Sequence, residues 1–276
     1  MSLIEFFSHP LLLPAFLAAL VASVAGGIMG SYIVAKRIVF LSGSISHAVL
    51  GGMGFFLWLK RHFGWEWASP LFGAFVAAIF CAILLGWIRS RFKEREDTLI
   101  AAIWSTGMAI GVIFIALTPG YNVELMNFLF GNILWATSTE IAILFGFDLL
   151  LITLTCLFHK KLLAVCFDED QAAMQGLRVQ PLYILLLCMA AVSIVLLIQV
   201  VGAILVVAFL AIPPAIALLF SNRLSHVMLF AALFGMILSF LGIGASYQLN
   251  WPPGATVALL AALAYAVSMP FQKQRV

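Results

Sequence analysis

The chain has 276 residues, 64% of them hydrophobic and only 9% charged, and its mean hydropathy is +1.17. A soluble domain cannot hide that much apolar surface, and no stretch is left over that would form one. The formal charge of +3 is small, and no basic surface interleaved with aromatics points to nucleic acid. The composition is that of an all-α, polytopic membrane helical bundle. Each span of such a bundle needs roughly 20 mostly apolar residues and must satisfy its backbone internally.

In chain order the apolar stretches fall at residues 11–35, 39–59, 67–88, 98–117, 139–158, 182–200, 203–221, 226–247 and 253–270, which predicts about 8–9 transmembrane helices. Ahead of the first lies "MSLIEFFSHP", with Glu5 and no Lys or Arg. It does not read as the basic leader of a cleaved signal peptide, so the first stretch is expected to remain as a span. A further stretch, "NVELMNFLFGNILW" at 122–135, is short and follows the Pro119-Gly120 break. It fits a re-entrant or interfacial helix, or part of a longer tilted span. Cys81, Cys156, Cys166 and Cys188 form no close pair, so neither a disulfide framework nor a thiolate metal site is indicated.

All but Lys60 and Arg61 of the 14 Lys and Arg fall in alternate connections. That asymmetry predicts that the populated side is cytoplasmic, with the N-terminus outside and the C-terminus cytoplasmic. On the same side lies the longest strongly polar connection, "HKKLLAVCFDEDQAAMQGLRVQP" at 159–181. Within it Asp168, Glu169 and Asp170 precede "QAAMQG", a short helix whose N-terminal end favours the acidic residues and which Gly176 should stop. It reads either as a solvated loop helix or as a docking helix for a cytoplasmic protein.

Ionisable groups at membrane depth are costly, and two stand out. His47 lies in "LSGSISHAVLGG", with Gly43 and Gly51 one helical turn before and after it. The glycines let a neighbouring helix or a hydrated ion approach, and neutral imidazole suits Zn, Mn or Fe. Helix packing, with His47 hydrogen-bonded to a neighbour, explains the same pattern. Asp148, in "LFGFDLLLITL", is either a second pathway group or a carboxyl held by a neighbouring helix. Pro213 and Pro214 interrupt the run "VVAFLAIPPAIALLF", where they bend or break the helix as a fixed kink, a hinge or a pathway lining. Gly26 and Gly30 have the spacing of a close helix contact.

Taken together, "SISHAVLGG", "REDTLIAAIWSTGMAIGVIF", "MNFLFGNIL", "FDEDQAAMQGLRV", "VVGAILVVAFLAIPPAIALLFSNRL" and "GIGASYQLNWPPGATVALL" occur in the order found in the metal-transporting permeases of ABC importers, the ABC-3 family. The resemblance runs from about residue 30 to about residue 265. It implies a single transmembrane permease domain over residues 1–276, in the bacterial inner (plasma) membrane, that moves a divalent transition metal ion inward. The implied partners are a cytoplasmic ABC ATPase, an external metal-binding protein and a second permease subunit, identical or a related paralogue. Membrane lipid surrounds the bundle.

The chain has no GxxxxGK[ST] phosphate loop, so ATP belongs on the partner and the chain is not itself an enzyme. No cofactor is expected to stay bound. The segment at 159–181 becomes the coupling element, with Asp168, Glu169, Ala172 and Gly176 as its docking surface. By the same resemblance His47 belongs to the transmembrane metal site.

The family motif reads close to GDAISHA, with an Asp one turn before the His, whereas this chain has Gly43 there. Either another residue supplies the negative charge, or the ion is held loosely and keeps part of its water. Two other readings stay open. A permease for iron chelates or cobalamin needs no coordinating His. An ion-coupled secondary carrier would use Asp148 and no ATPase.

Overall fold

The computed structural model describes residues 12–92, 96–118 and 133–271. Among them are ten α-helices and no strand: α1 (Leu12–Lys36), α2 (Phe40–Phe63), α3 (Pro70–Phe92), α4 (Glu96–Leu117), α5 (Ser138–Phe167), α6 (Glu169–Met174), α7 (Val179–Val201), α8 (Ala203–Phe220), α9 (Leu224–Leu249) and α10 (Pro253–Ser268). All but α6 and α10 are long and apolar enough to cross a membrane, eight among the described residues. Runs such as "YILLLCMAAVSIVLLIQVV" in α7 are rich in β-branched residues, which weaken a helix in water. In hydrocarbon the backbone has no solvent to turn to, so the helix prevails. The last expected stretch, 253–270, forms the 16 residues of α10 and then a 3-10 turn, Met269–Phe271. The expected segment at 122–135 lies outside the described residues, apart from a 3-10 turn at Ile133–Trp135.

One element departs from the hydropathy pattern. The apolar run ends near residue 158, yet α5 continues through His159, Lys160 and Lys161 to Phe167. Leu162, Val165 and Cys166 recur at helical spacing there and are buried, so packing carries the helix on where hydropathy falls. At ~1.5 Å per residue its 30 residues reach about 45 Å, beyond the ~30 Å of a hydrocarbon core. The polar connection expected over 159–181 therefore shrinks to the residues after Phe167.

The chain divides into two compact units. One takes the chain up to Arg37, a stretch ending at Phe158, and everything from Leu196; it holds α1, the first part of α5, α8, α9 and α10. Its seam is made of small residues. A Cβ added to Gly27 would lie 2.7 Å from the Ala232 backbone nitrogen of α9, and Gly235 of α9 faces Ser23. Only glycine at position 27 allows the two backbones to approach so closely.

The prolines of α8 sit in this unit, and the helix continues through them. Lacking N–H groups, Pro213 and Pro214 leave the carbonyls of Phe209 and Leu210 without their helical donors. Both carbonyls face the Gly26 and Gly30 pair of α1. A Cβ on Gly30 would lie 2.6 Å from the Leu210 oxygen and 2.7 Å from Pro214 Cγ, and one on Gly26 would lie 3.7 Å from the Phe209 oxygen. The bare glycine Cα–H groups can therefore cover acceptors that the prolines set free. Two separate sequence features turn out to be halves of one contact.

The other unit holds α2, α3, α4, the end of α5, α6 and most of α7. Here α2 lies between α3 and α4, again on glycine: Gly52 faces Gly73 of α3, while Gly51 and Gly54 face Gly107 and Gly111 of α4. A Cβ on Gly51 would lie 2.7 Å from the Gly107 oxygen, and one on Gly107 would lie 2.5 Å from Ala48 Cα. The end of α2 and the connection to α3 carry an aromatic rim, in which Trp58 stacks on His62 and Trp65 on Trp67. Such residues suit a membrane–water interface.

Candidate functional site

His47 lies about a third of the way along α2, half-buried, on the face turned to α4. Its Nδ1 is 2.7 Å from the carbonyl oxygen of Gly43, one turn earlier. A carbonyl can only accept, so Nδ1 carries the proton and donates. In the neutral ring Nε2 is then left with its lone pair. A backbone carbonyl behind one ring nitrogen, with the other nitrogen directed away, is the usual way a ligating histidine is oriented.

Trp104 of α4 covers one face of the imidazole, with ring centroids 4.8 Å apart and planes 30° from parallel. One turn earlier on α4 the Ile100 carbonyl accepts from Ser44 Oγ of α2 at 2.8 Å. Ser46 Oγ donates to the Ser42 carbonyl at 2.6 Å. Both hydroxyl protons are thus committed to backbone, and both serines are buried. The approach that permits this framing comes from Gly107 and Gly111, whose missing side chains let α4 lie against Ala48 and Leu50.

Gly43, where the resemblance leads one to expect an acid, serves through its backbone by orienting His47. A Cβ there would meet the Trp104 ring at 3.5 Å, an ordinary contact, so the position has room for a side chain. Among the described residues no group of three or more His, Cys, Asp and Glu is placed to hold a metal ion. Among the described residues the site presents one oriented imidazole, a side chain of the type that suits borderline cations.

Asp148 belongs to the other unit, on α5. It is 3% exposed and sits on a buried stripe with Leu144, Leu151 and Thr155. Its Oδ1 has no hydrogen-bond partner among the described residues. Pro213 and Pro214 are buried against α1, as described above.

The residues expected to dock a partner fall on and around α6, with distinct roles. Asp168 caps the helix, its Oδ1 accepting from the Gln171 N–H at 2.9 Å. Gly176 ends it at φ +80°, with its N–H on the Ala173 carbonyl and the Leu177 N–H on that of Ala172. That double closure is a Schellman motif, which favours glycine at this position. Ala172 is 1% exposed and packs inward, so it supports the helix and offers no surface to a partner. Met174, at 81% exposed, is the outward apolar side chain that the sequence reading did not single out.

Glu169 meets Arg89 at the end of α3. Arg89 Nη1 and Nη2 reach the two carboxylate oxygens at 3.0 and 2.9 Å. Its Nε also pairs with Glu96 in the first turn of α4, and its guanidinium lies 4.4 Å from the centre of the Tyr183 ring of α7. Reading the sequence missed Arg89, because it is one of four basic residues between 89 and 95 that together set the expected orientation. Trp104 was missed for a similar reason, being one aromatic among many. Gly107 and Gly111 did carry a readable signal, the small-xxx-small spacing in "TGMAIG".

The model of the ABC 3 transport family matches residues 8–272. A protein of Chlamydia pneumoniae named "Probable metal transport system membrane protein" is 50% identical over 271 residues, 97% of this chain and 92% of that one. The manganese transport system membrane protein MntC of Halalkalibacterium halodurans is 30% identical, over 98% of this chain and 90% of that one. Among solved structures, a chain of PsaBC from Streptococcus pneumoniae, in complex with Fab, superposes with a TM-score of 0.82 at 30% identity. That match covers 98% of this chain and 96% of the other.

Proposed function

The chain belongs to the ABC 3 transport family, and from that premise we propose that it is the membrane permease of a metal-importing ABC transporter. Its cargo is a divalent transition metal ion, carried from an external binding protein to the cytoplasm. A separate ATPase supplies the energy, since the chain has no phosphate-binding loop of its own. The observation that carries this reading is the family match across nearly the whole chain, together with relatives named for metal and manganese transport. The permease works paired with a second permease, identical or a paralogue. Its N-terminus lies outside and its C-terminus in the cytoplasm, as the Lys and Arg distribution favours.

Within that function His47 is the group that touches the ion in transit. Nδ1 is fixed on the Gly43 carbonyl, so Nε2 is held ready without any rearrangement. With Gly43 in place of an acid, one neutral ligand leaves most of the ion's coordination to water or to groups elsewhere. An importer has to release its cargo, and weak ligation serves that. The ATPases are engaged through α6, whose outward residues Asp168, Gln171, Met174 and Gly176 form the docking face. ATP-driven closure of the ATPases moves α6, and the spans exchange outward for inward access.

The test is reconstitution in vesicles with the ATPase and binding protein, measuring ATP-dependent uptake of Mn, Zn and Fe. His47→Ala is expected to lower uptake of the physiological metal by more than about tenfold, with an unchanged melting temperature. Uptake equal to that of the parent for every metal would remove His47 from the pathway. Parent uptake that persists without the ATPase would instead favour a secondary carrier.

A further inference from the structure

Four helices of one unit converge on a single guanidinium. Arg89 ends α3, Glu96 opens α4, Glu169 begins α6 and Tyr183 lies near the start of α7. We infer that Arg89 is a positioning residue that transmits movement of α6 to the helix lining His47, acting through Glu96. The inference rests on reading the chain as an ATP-driven importer whose ATPase engages α6.

The geometry of the link is specific. Glu169 takes both terminal nitrogens of Arg89 in a fork, at 3.0 and 2.9 Å, so α6 cannot shift without pulling on the end of α3. Nε of the same guanidinium holds Glu96. From Glu96 the line continues along one face of α4, because Ile100 and Trp104 follow at intervals of four. Ile100 is tied to Ser44 of α2 and Trp104 is stacked on His47. The rise from Glu96 to Trp104 is about 12 Å, over which an α-helix behaves as a stiff rod.

Arg89 and its two carboxylates are mostly withdrawn from solvent, with side-chain exposures of 25, 20 and 24%. Screening therefore weakens the pairs less than it would on an open surface. The Tyr183 ring beneath the guanidinium adds a cation–π contact that holds the fork in place. Lysine could keep the charge here but not the fork, since an ammonium cannot present a bidentate edge to one carboxylate and a third nitrogen to another.

A purely structural brace would make a different prediction. Losing a brace lowers the amount of assembled transporter, and ATP turnover and metal uptake fall together. Losing a transmission link leaves ATP turnover running while fewer ions move per ATP. The experiment uses the full transporter in vesicles and measures ATP hydrolysis and metal uptake side by side for the parent, Arg89→Gln, Arg89→Lys and Glu96→Gln.

Ions moved per ATP are expected to fall about three- to tenfold in Arg89→Gln and in Glu96→Gln, and less in Arg89→Lys. Glu96→Gln keeps the Arg89 pairing with Glu169 and removes only the charge at the α4 end of the link, so it guards against a folding defect in the arginine variant. An unchanged ratio of uptake to hydrolysis in both glutamine variants overturns the inference, whether or not overall activity falls. Absence of ATP-dependent uptake by the parent overturns the importer reading itself, and this inference with it.

Discussion

The α1–α8 seam of one unit and the α2–α4 seam of the other use the same device to different ends. Both bring helix backbones together through glycines at which a side chain would crowd the partner helix. In the first, the glycines Gly26 and Gly30 meet carbonyls released by Pro213 and Pro214. In the second, Gly51, Gly107 and Gly111 draw α4 onto α2 beside His47, so that a ring from one helix covers the imidazole of the other. A small-residue contact therefore says that two helices are close but not what for. The purpose is set by what the closeness places alongside: freed acceptors in one seam, an oriented imidazole in the other.

The largest effect should come from disturbing the second seam. A methyl group at Gly107 would lie 2.5 Å from Ala48 Cα and 2.7 Å from its Cβ, far inside contact distance, so α4 has to move away. Trp104 moves with it, three residues earlier on the same helix. Gly107→Ala is expected to lower metal uptake about ten- to a hundredfold, as when the partner behind a metal ligand is lost. Uptake must be normalised to folded protein, because stability falls as well. If uptake per folded molecule matched that of the parent, the seam would be packing only, and the contrast between the two units would disappear.

The first seam should answer in the opposite sense. Gly30→Ala places a methyl 2.6 Å from the Leu210 oxygen and 2.7 Å from Pro214 Cγ, and neither a backbone oxygen nor a proline ring can swing aside. The cost is expected to be about 1–3 kcal/mol of stability, read from thermal unfolding in detergent. Uptake per folded molecule should stay within about twofold of the parent. A selective loss of uptake with stability intact would mean that the proline segment moves during transport, which is the hinge reading of Pro213 and Pro214.

How far these seams could be read beforehand differs by physical cause. Hydropathy located the spans because hydrocarbon leaves the backbone a single solution, and it failed at α5, where burial of Leu162 and Val165 extends the helix beyond the apolar run. His47 was legible because an imidazole at membrane depth is rare and costly. Its orientation was not, since nothing in "SGSISHA" says that Gly43 would accept from Nδ1 rather than merely make room. The prolines read as an interruption, whereas α8 continues because glycines on a distant stretch of chain attend to the freed carbonyls. Arg89 was the least legible of all. Its partner Glu169 is 80 residues away, and no local pattern distinguishes this arginine from Arg91.

The smallest effect is expected at Asp148, and it sharpens the comparison from outside both seams. The residue is nearly as buried as any leucine around it, and Oδ1 finds no hydrogen bond among the described residues. Unlike His47, whose ring is oriented by a backbone carbonyl, no hydrogen bond aims this oxygen among the described residues. Removing an unsatisfied buried oxygen relieves a desolvation cost rather than breaking a contact. Asp148→Leu keeps the number and branching of the side-chain heavy atoms and should leave ATP-dependent uptake within about twofold of the parent. Its stability should be unchanged or higher by about 1 kcal/mol. Should uptake instead collapse while the protein remains folded, the carboxyl lies on the ion's route.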